Sequence, residues 1–88
     1  MRVDKFLKVS RIIKRRTIAN EACDAGRVMI NGKVVKAGAE VKIGDIIEIQ
    51  FGNNTTKIEV LDLKESTKKE DAVNMYKSLM RMIFQRNF

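Results

Sequence analysis

The first residues of the chain repeat apolar side chains at the spacing of an α-helix. At about 100° per residue, one arc of a helix over residues 3–13 collects the apolar and small side chains, namely Val3, Phe6, Leu7, Ser10 and Ile13. The opposite arc collects the basic side chains, namely Arg2, Lys5, Lys8 and Arg11, with Asp4 beside them. The pattern therefore predicts a helix with one buried face and one cationic face.

A second helix is predicted from Arg16 to Ala25. Its apolar side comprises Ile18, Ala19, Ala22, Cys23 and Ala25, and its polar side comprises Asn20, Glu21 and Asp24. Gly26 follows as the predicted C-terminal cap, because glycine adopts a left-handed conformation without a Cβ penalty. The backbone N–H groups at the start of this helix favour anions, so Arg15 and Arg16 together predict a phosphate site there.

After Gly26 the period of the apolar residues changes to two, which is typical of β-strands. Strands are predicted over 28–30, from Val34, over 46–51 with Ile47, Ile49 and Phe51 on one face, and over 57–63. Turns are predicted at Asn31-Gly32, at Gly44-Asp45 and over 52–54. The pattern predicts an α+β fold, in which the first two helices pack on a small, mostly antiparallel sheet.

The C-terminal part of the chain is predicted to be helical again, over about 66–84. Its apolar stripe comprises Ala72, Val73, Tyr76, Leu79, Met80 and Ile83, and it is widened by Met75, Met82, Phe84 and Phe88. The stripe is either part of the core or an adaptable, methionine-rich surface for a partner. We therefore expect one domain, with the two helices and the sheet over 1–62 and a helical extension of the same domain over 63–88.

Charge is distributed unevenly along the 88 residues, whose formal net charge is +7. Residues 1–44 carry eleven basic and four acidic residues, whereas residues 45–88 carry seven of each. All the excess positive charge therefore lies in the first half, and a polyanion is its simplest partner. The alternative is a solvated basic face that only keeps the protein soluble.

The residue types argue against catalysis. The chain has no histidine, and its single cysteine, Cys23, lies on the predicted apolar side of the second helix as a small buried hydrophobe. The acidic residues are scattered, and no glycine-rich nucleotide loop is present. We expect no enzyme activity, no catalytic residue, no metal and no cofactor. A run of 18 apolar residues is also absent, so we expect a cytoplasmic protein without a membrane partner.

Two features of the predicted helices indicate which kind of polyanion the basic residues bind. Asp4 could form an i,i+4 ion pair with Lys8, or it could orient a nearby arginine. The second helix exposes Glu21 and Asp24, whereas a helix that reads the DNA major groove presents hydrogen-bond donors. The cationic face belongs instead to the first helix and to the corner that follows it. This arrangement favours a folded RNA backbone, recognised by charge and shape.

Several segments over roughly residues 1–62 together resemble the S4-type RNA-binding domain. These are Arg2-Val3-Asp4-Lys5-Phe6-Leu7, the basic Arg15-Arg16 at the start of a helix, residues 26–32, and Gly44-Asp45. The resemblance implies an RNA surface formed by the first two helices and the following hairpin. By the family's motif it implicates Arg2, Lys5, Arg15, Arg16 and Arg27, and Lys8, Arg11 and Lys14 extend the patch by position.

The segments 5–11 and 67–76 are similar to a stand-alone branch of this family. That branch is related to the fifteen-kilodalton heat-shock protein and includes the bacterial ribosome-associated quality-control protein P. The resemblance implies a protein that binds ribosomal RNA of the large subunit and peptidyl-tRNA after stalling, and we expect it to be a monomer. A partner factor on the same subunit would then direct C-terminal tailing. Two alternatives remain: a protein-interaction adaptor that uses the methionine-rich C-terminal stripe, or a factor for ribosome or tRNA biogenesis.

Overall fold

Two helices open the chain and a sheet follows them, as the change of period predicts. The structure, a computed structural model, describes residues 1–64 and 68–79. Its helices and strands are α1 (Val3–Val9), α2 (Arg16–Asp24), β1 (Val28–Ile30), β2 (Lys33–Val34), β3 (Ile46–Phe51), β4 (Asn54–Val60), α3 (Lys69–Ala72) and β5 (Tyr76–Ser78). The predicted α+β class is confirmed.

The strands form a five-stranded sheet in the order β2-β1-β3-β4-β5, and every neighbouring pair is antiparallel. Asn31 and Gly32 both have positive φ, 53° and 85°, as a type I′ hairpin turn between β1 and β2 requires. Strand β4 begins three residues earlier than predicted. A two-residue turn at Gly52 (φ 58°) and Asn53 lets pairing with β3 resume at once, with Phe51 opposite Asn54.

The core lies between the two N-terminal helices and one face of the sheet. Val9 and Ile13 are part of it, although Val9 falls within the cationic arc of an ideal helix. Fully buried hydrophobic side chains come from α1 (Val3, Phe6, Leu7), from α2 (Ala19, Cys23) and from the sheet (Val28, Ile47, Ile49, Ile58, Val60), and Val41, Ala72 and Met75 are also fully buried. The predicted packing of both helices on the sheet is confirmed.

Helix α1 ends at Val9, four residues before the predicted end. Arg11 adopts a left-handed conformation, with φ 63°, which a continuing helix cannot accommodate. The backbone N–H of Ile13 donates to Leu7 O at 3.0 Å, so the chain folds back and places Ile13 in the core. This early reversal brings α2 against α1.

Helix α2 ends as predicted, but one flank is more exposed than its period suggests. The N–H of Gly26 (φ 76°) donates to Cys23 O, and the N–H of Arg27 donates to Ala22 O, both at 3.0 Å. This pair of hydrogen bonds is a Schellman cap. Ile18, predicted on the apolar side, is 46% exposed, because only the side of α2 with Ala19 and Cys23 faces the core.

The predicted helix over 66–84 is wrong for residues 73–79. Among residues 68–79, one helical turn forms, α3, and the chain then extends along the free edge of β4, with Tyr76 opposite Val60 and Ser78 opposite Ile58. The backbone N–H and C=O groups on this edge of β4 thereby gain hydrogen-bond partners, and Met75 is buried in the core. The parts of this prediction at 66–67 and 80–84 lie outside the described residues.

Candidate nucleic-acid interface

A buried carboxylate organises the basic N-terminal face. Asp4 lies in the first turn of α1 and is 2% exposed. Arg2 donates to it from Nε and Nη2, both at 3.3 Å. Arg16, the first residue of α2, approaches with Nε at 3.3 Å from Oδ2 and donates from Nη2 to Oδ1 at 3.4 Å. Of the two roles predicted for Asp4, the orientation of a nearby arginine is therefore the one observed.

Local structure explains why these groups meet. The N–H of Val3 donates to Ala39 O at 2.8 Å and that of Asp4 to Ala37 O at 3.3 Å, so the segment 37–39 holds the start of α1 in place. The reversal after α1 returns the first turn of α2 to the same point. One turn further along α2, Asn20 Nδ2 donates to Asp4 Oδ2 at 3.5 Å. The carboxylate thus joins both helices.

The surroundings of Asp4 favour its ionised form. Burial alone would raise the pKa of Asp4. The opposing effects are larger: the pKa is lowered by the hydrogen bond and charge of Arg16, by the charge of Arg2 and by the hydrogen bond from the Lys5 N–H. The pKa of Asp4 therefore lies below the usual value of 3.8. The arginine side chains remain 52% and 47% exposed. They therefore present their outer edges to solvent from fixed positions.

The Asp4→Asn variant is expected to lose about 1–3 kcal/mol of folding free energy at pH 7, because charge-assisted hydrogen bonds to the arginines are lost. The folded pKa of Asp4 is depressed, so its contribution is full above pH 4 and disappears as the pH falls through that folded value. Urea unfolding between pH 5 and 2 measures the difference. A wild-type advantage that stays constant down to pH 2 would contradict this assignment.

An open depression of about 500 Å³ lies at this junction. It is bordered by Arg2, Asp4, Arg16, Thr17, Asn20 and Glu21. Helix α2 contributes four of these residues, and the chain start contributes the other two. The depression therefore exists only because α1 and α2 are packed together.

The structure brings together some of the predicted RNA-binding residues but not all of them. Arg2 and Arg16 meet on Asp4, whereas Arg27 lies beyond the opposite end of α2, about 14 Å away along the helix axis. Lys5 is half-buried on α1. The remaining four are exposed on α1 and in the link to α2, namely Lys8, Arg11, Lys14 and Arg15.

Thr17, Asn20 and Glu21 border the depression, although they are not among the residues predicted to bind RNA. Their spacing holds the information, because Asn20 follows Arg16 by four residues and Glu21 follows Thr17 by four, which places each pair on one helical face. The spacing alone does not identify a site, because the depression also requires Asp4 of α1 to lie beside this face of α2.

Other candidate chemistry has a structural explanation or is not found. Cys23 is fully buried, and burial, with the negative charges of Asp4 and Asp24, raises the pKa of its thiol to about 11, so it stays protonated. Its prediction as a buried hydrophobe is confirmed. Within residues 1–64 and 68–79, no group of three acidic, cysteine or histidine side chains is placed to hold a metal. The helices of these residues are also too short and polar to cross a membrane.

Comparison with known proteins places this arrangement in a family. The family model described as "S4 domain" matches residues 1–47, which include α1, α2, the β1–β2 hairpin and all the residues around the depression. The chain belongs to the S4 domain family. The resemblance stated from Arg2-Val3-Asp4-Lys5-Phe6-Leu7 and from residues 26–32 is thereby confirmed.

Relatives of this S4 domain protein match it along most of its length. It is 49% identical over 87 residues to the RQC P-site tRNA stabilizing factor of Streptococcus pneumoniae, covering 99% of each chain. The factor of the same name from Bacillus subtilis is 55% identical over 76 residues, or 86% of this chain and 88% of the relative. The solved structure of heat shock protein 15 from Vibrio cholerae superposes with a TM-score of 0.86 at 26% identity, covering 98% of this chain and 88% of the other.

Proposed function

We propose that this protein binds ribosomal RNA and tRNA on the large ribosomal subunit and stabilises peptidyl-tRNA there during quality control of stalled ribosomes. The observation that carries the proposal is the pair of arginines, Arg2 and Arg16, which one buried carboxylate holds at the centre of a cationic face. The name of the homologous factors, RQC P-site tRNA stabilizing factor, supports the choice of ribosome and tRNA as partners.

Preorganisation is the physical advantage of this arrangement. An exposed arginine loses side-chain entropy when it binds a phosphate, whereas Arg2 and Arg16 are already oriented by Asp4 before the RNA arrives. Their outer N–H groups keep a fixed fork geometry, which suits phosphate oxygens and base edges. Asp4 thus acts as a positioning residue, and the arginines make the contact.

The exposed basic residues around this centre extend the contact along the RNA backbone. Helix α1 is about 10 Å long and carries Lys5 and Lys8, and the corner that follows carries Lys14 and Arg15. Side chains on such a surface bind phosphates largely independently of sequence. We assign them the affinity for the folded RNA, with Arg27 as a peripheral contact near the hairpin.

Binding, rather than chemistry, would be the activity of this chain. A protein held between ribosomal RNA and tRNA keeps the tRNA in place by adding contacts to it, and no bond needs to form or break. C-terminal tailing of the stalled polypeptide would then be the work of a separate factor on the same subunit. Such a role places the protein in the cytoplasm, where the ribosomes are.

The Arg2→Ala/Arg16→Ala variant is expected to lose ribosome association, because the two central contacts are removed together. The measurement is sucrose-gradient sedimentation of the full chain with an extract in which translation has stalled. Wild-type protein is expected with large subunits that carry peptidyl-tRNA, and the variant at the top of the gradient.

A matched control removes the same charge elsewhere. Lys68 and Lys77 are exposed in the half of the chain with no net charge, so Lys68→Ala/Lys77→Ala is expected to sediment like the wild type. If wild-type protein stays at the top of the gradient, the proposal fails. If the two double variants lose the ribosome equally, the contact is general attraction by net charge and the arginine pair has no special part.

A further inference from the structure

The depression between α1 and α2 is electrically balanced, unlike the face around it. Two arginines, Arg2 and Arg16, border it together with two acids, Asp4 and Glu21, so its four charged residues sum to zero. A site built for phosphate alone would not have a carboxylate on its rim, because like charges repel. The two positive and two negative residues around the depression therefore favour a ligand with both hydrogen-bond donors and hydrogen-bond acceptors.

Donors to such a ligand come from the arginines. Each guanidinium has five N–H groups, of which Arg2 donates two to Asp4, whereas Arg16 donates one from Nη2 and has its Nε 3.3 Å from the carboxylate. At least three donors on each side chain therefore remain for a ligand. Both arginines are about half exposed at this place.

Acceptors come from helix α2. The amide of Asn20 donates through Nδ2 to Asp4, which leaves its Oδ1 as an acceptor. Glu21 is exposed on the rim, and among residues 1–64 and 68–79 it has no ion-pair partner. The residues that carry these acceptors, together with Thr17 and its hydroxyl, thus border the same depression as the arginine donors.

We propose that this depression binds an unpaired guanine base of the RNA, with Glu21 and Asn20 as the residues that determine specificity. Guanine offers two adjacent donors, N1–H and the exocyclic amine, which match the two oxygens of the Glu21 carboxylate. It also offers O6 and N7, which are the preferred acceptors for arginine. The volume of about 500 Å³ lies within the range of about 300–1,000 Å³ typical of small-ligand sites.

This inference rests on the proposed function, since it assigns a base to the RNA-binding face. It differs in kind from the surrounding contacts, because phosphate contacts position the protein whereas base contacts carry sequence information. Bases that protrude from folded RNA are the ones that proteins read in this way.

Nucleotide titrations of the full chain test the inference. The probes are guanosine and inosine 5′-monophosphates, which have the same charge and differ only in the exocyclic amine. We expect guanosine monophosphate to bind about fivefold more tightly, the low end of what a bidentate base contact contributes. Amide chemical shifts from ¹⁵N-labelled protein report the affinity, and the largest changes are expected at Arg16, Asn20 and Glu21. Equal affinities for the two nucleotides would overturn the inference.

Two charge-matched variants separate base recognition from electrostatics. Glu21→Gln removes the carboxylate on the rim, and Asp24→Asn removes an exposed acid of the same helix outside the depression. Each raises general attraction for an anion. Only Glu21→Gln is expected to bring the ratio of guanosine to inosine affinities near one, while Asp24→Asn leaves it at about five. An unchanged ratio in Glu21→Gln would refute the role of this residue.

Failure of this inference and failure of the proposed function give different results. Ribosome sedimentation with equal affinities for the two nucleotides would remove the guanine site and leave ribosome binding in place. Guanine preference without ribosome sedimentation would retain the base site and reject the ribosome as its source of RNA.

Discussion

Phe6→Ala is expected to lower the free energy of unfolding by about 3–5 kcal/mol, which is a large part of the stability of a domain this small. Phe6 lies between the first helix and the sheet, is completely buried, and is the bulkiest of the fully buried side chains among residues 1–64 and 68–79. Its removal leaves a cavity that the surrounding backbone cannot close, since α1 is held at its start by the segment 37–39. Urea unfolding followed by circular dichroism measures the loss.

Phe51→Ala provides the matched control, because the residue types are the same and only the burial differs. Phe51 is 40% exposed at the end of β3, and we expect its replacement to cost about 1 kcal/mol or less. If both variants lost equal stability, the core would not lie where the structure places it.

The affinity for ribosomes is expected to fall steeply with salt. Four phosphate contacts at about 0.7–0.9 each predict a slope near −3 for log affinity against log salt concentration. A rise from about 50 to 200 mM salt would then weaken binding by about 60-fold. Binding assays at several salt concentrations measure the slope, and affinity that does not change with salt would contradict an electrostatic interface.

Variants then locate the contacts that produce this slope. In Lys14→Ala/Arg15→Ala, binding is expected to show a slope smaller in magnitude by about 1.5, because two of the four phosphate contacts are absent. Lys68→Ala/Lys77→Ala is expected to keep the full slope. A reduced slope in the second variant would place the RNA on the other half of the chain.

Sequence patterns correctly predicted the turns, caps and strands whose backbone geometry depends on residues that are adjacent in the chain. The hairpin at Asn31-Gly32 follows from two residues that tolerate positive φ, and the end of α2 follows from Gly26 for the same reason. Strand β3 was predicted with its observed bounds, 46–51, because its apolar residues alternate clearly. Even there, the alternation assigned Phe51 to the face of Ile47 and Ile49 without showing that the core ends before it.

The C-terminal part shows where such patterns fail. The apolar spacing of residues 72–83 is helical, yet Tyr76–Ser78 form a strand. A free edge on β4 offers these residues hydrogen bonds that no local pattern records, and the gain outweighs their helical preference. Competition of this kind is decided by distant parts of the chain.

Part of the candidate site was likewise predictable from the sequence, and part depended on the tertiary structure. The sequence by itself determined that the basic residues lie in the first half, that Arg2 and Arg16 are among them, and that Cys23 is a buried hydrophobe. The sequence did not decide whether Asp4 pairs with Lys8 or with an arginine, and it did not predict that Asn20 and Glu21 belong to the site. Only the tertiary structure decided both points, because α1 ends early at Val9 and the chain reverses. That reversal brings the start of α2 to the carboxylate, and contacts between helices depend on how the helices pack rather than on the spacing within either one.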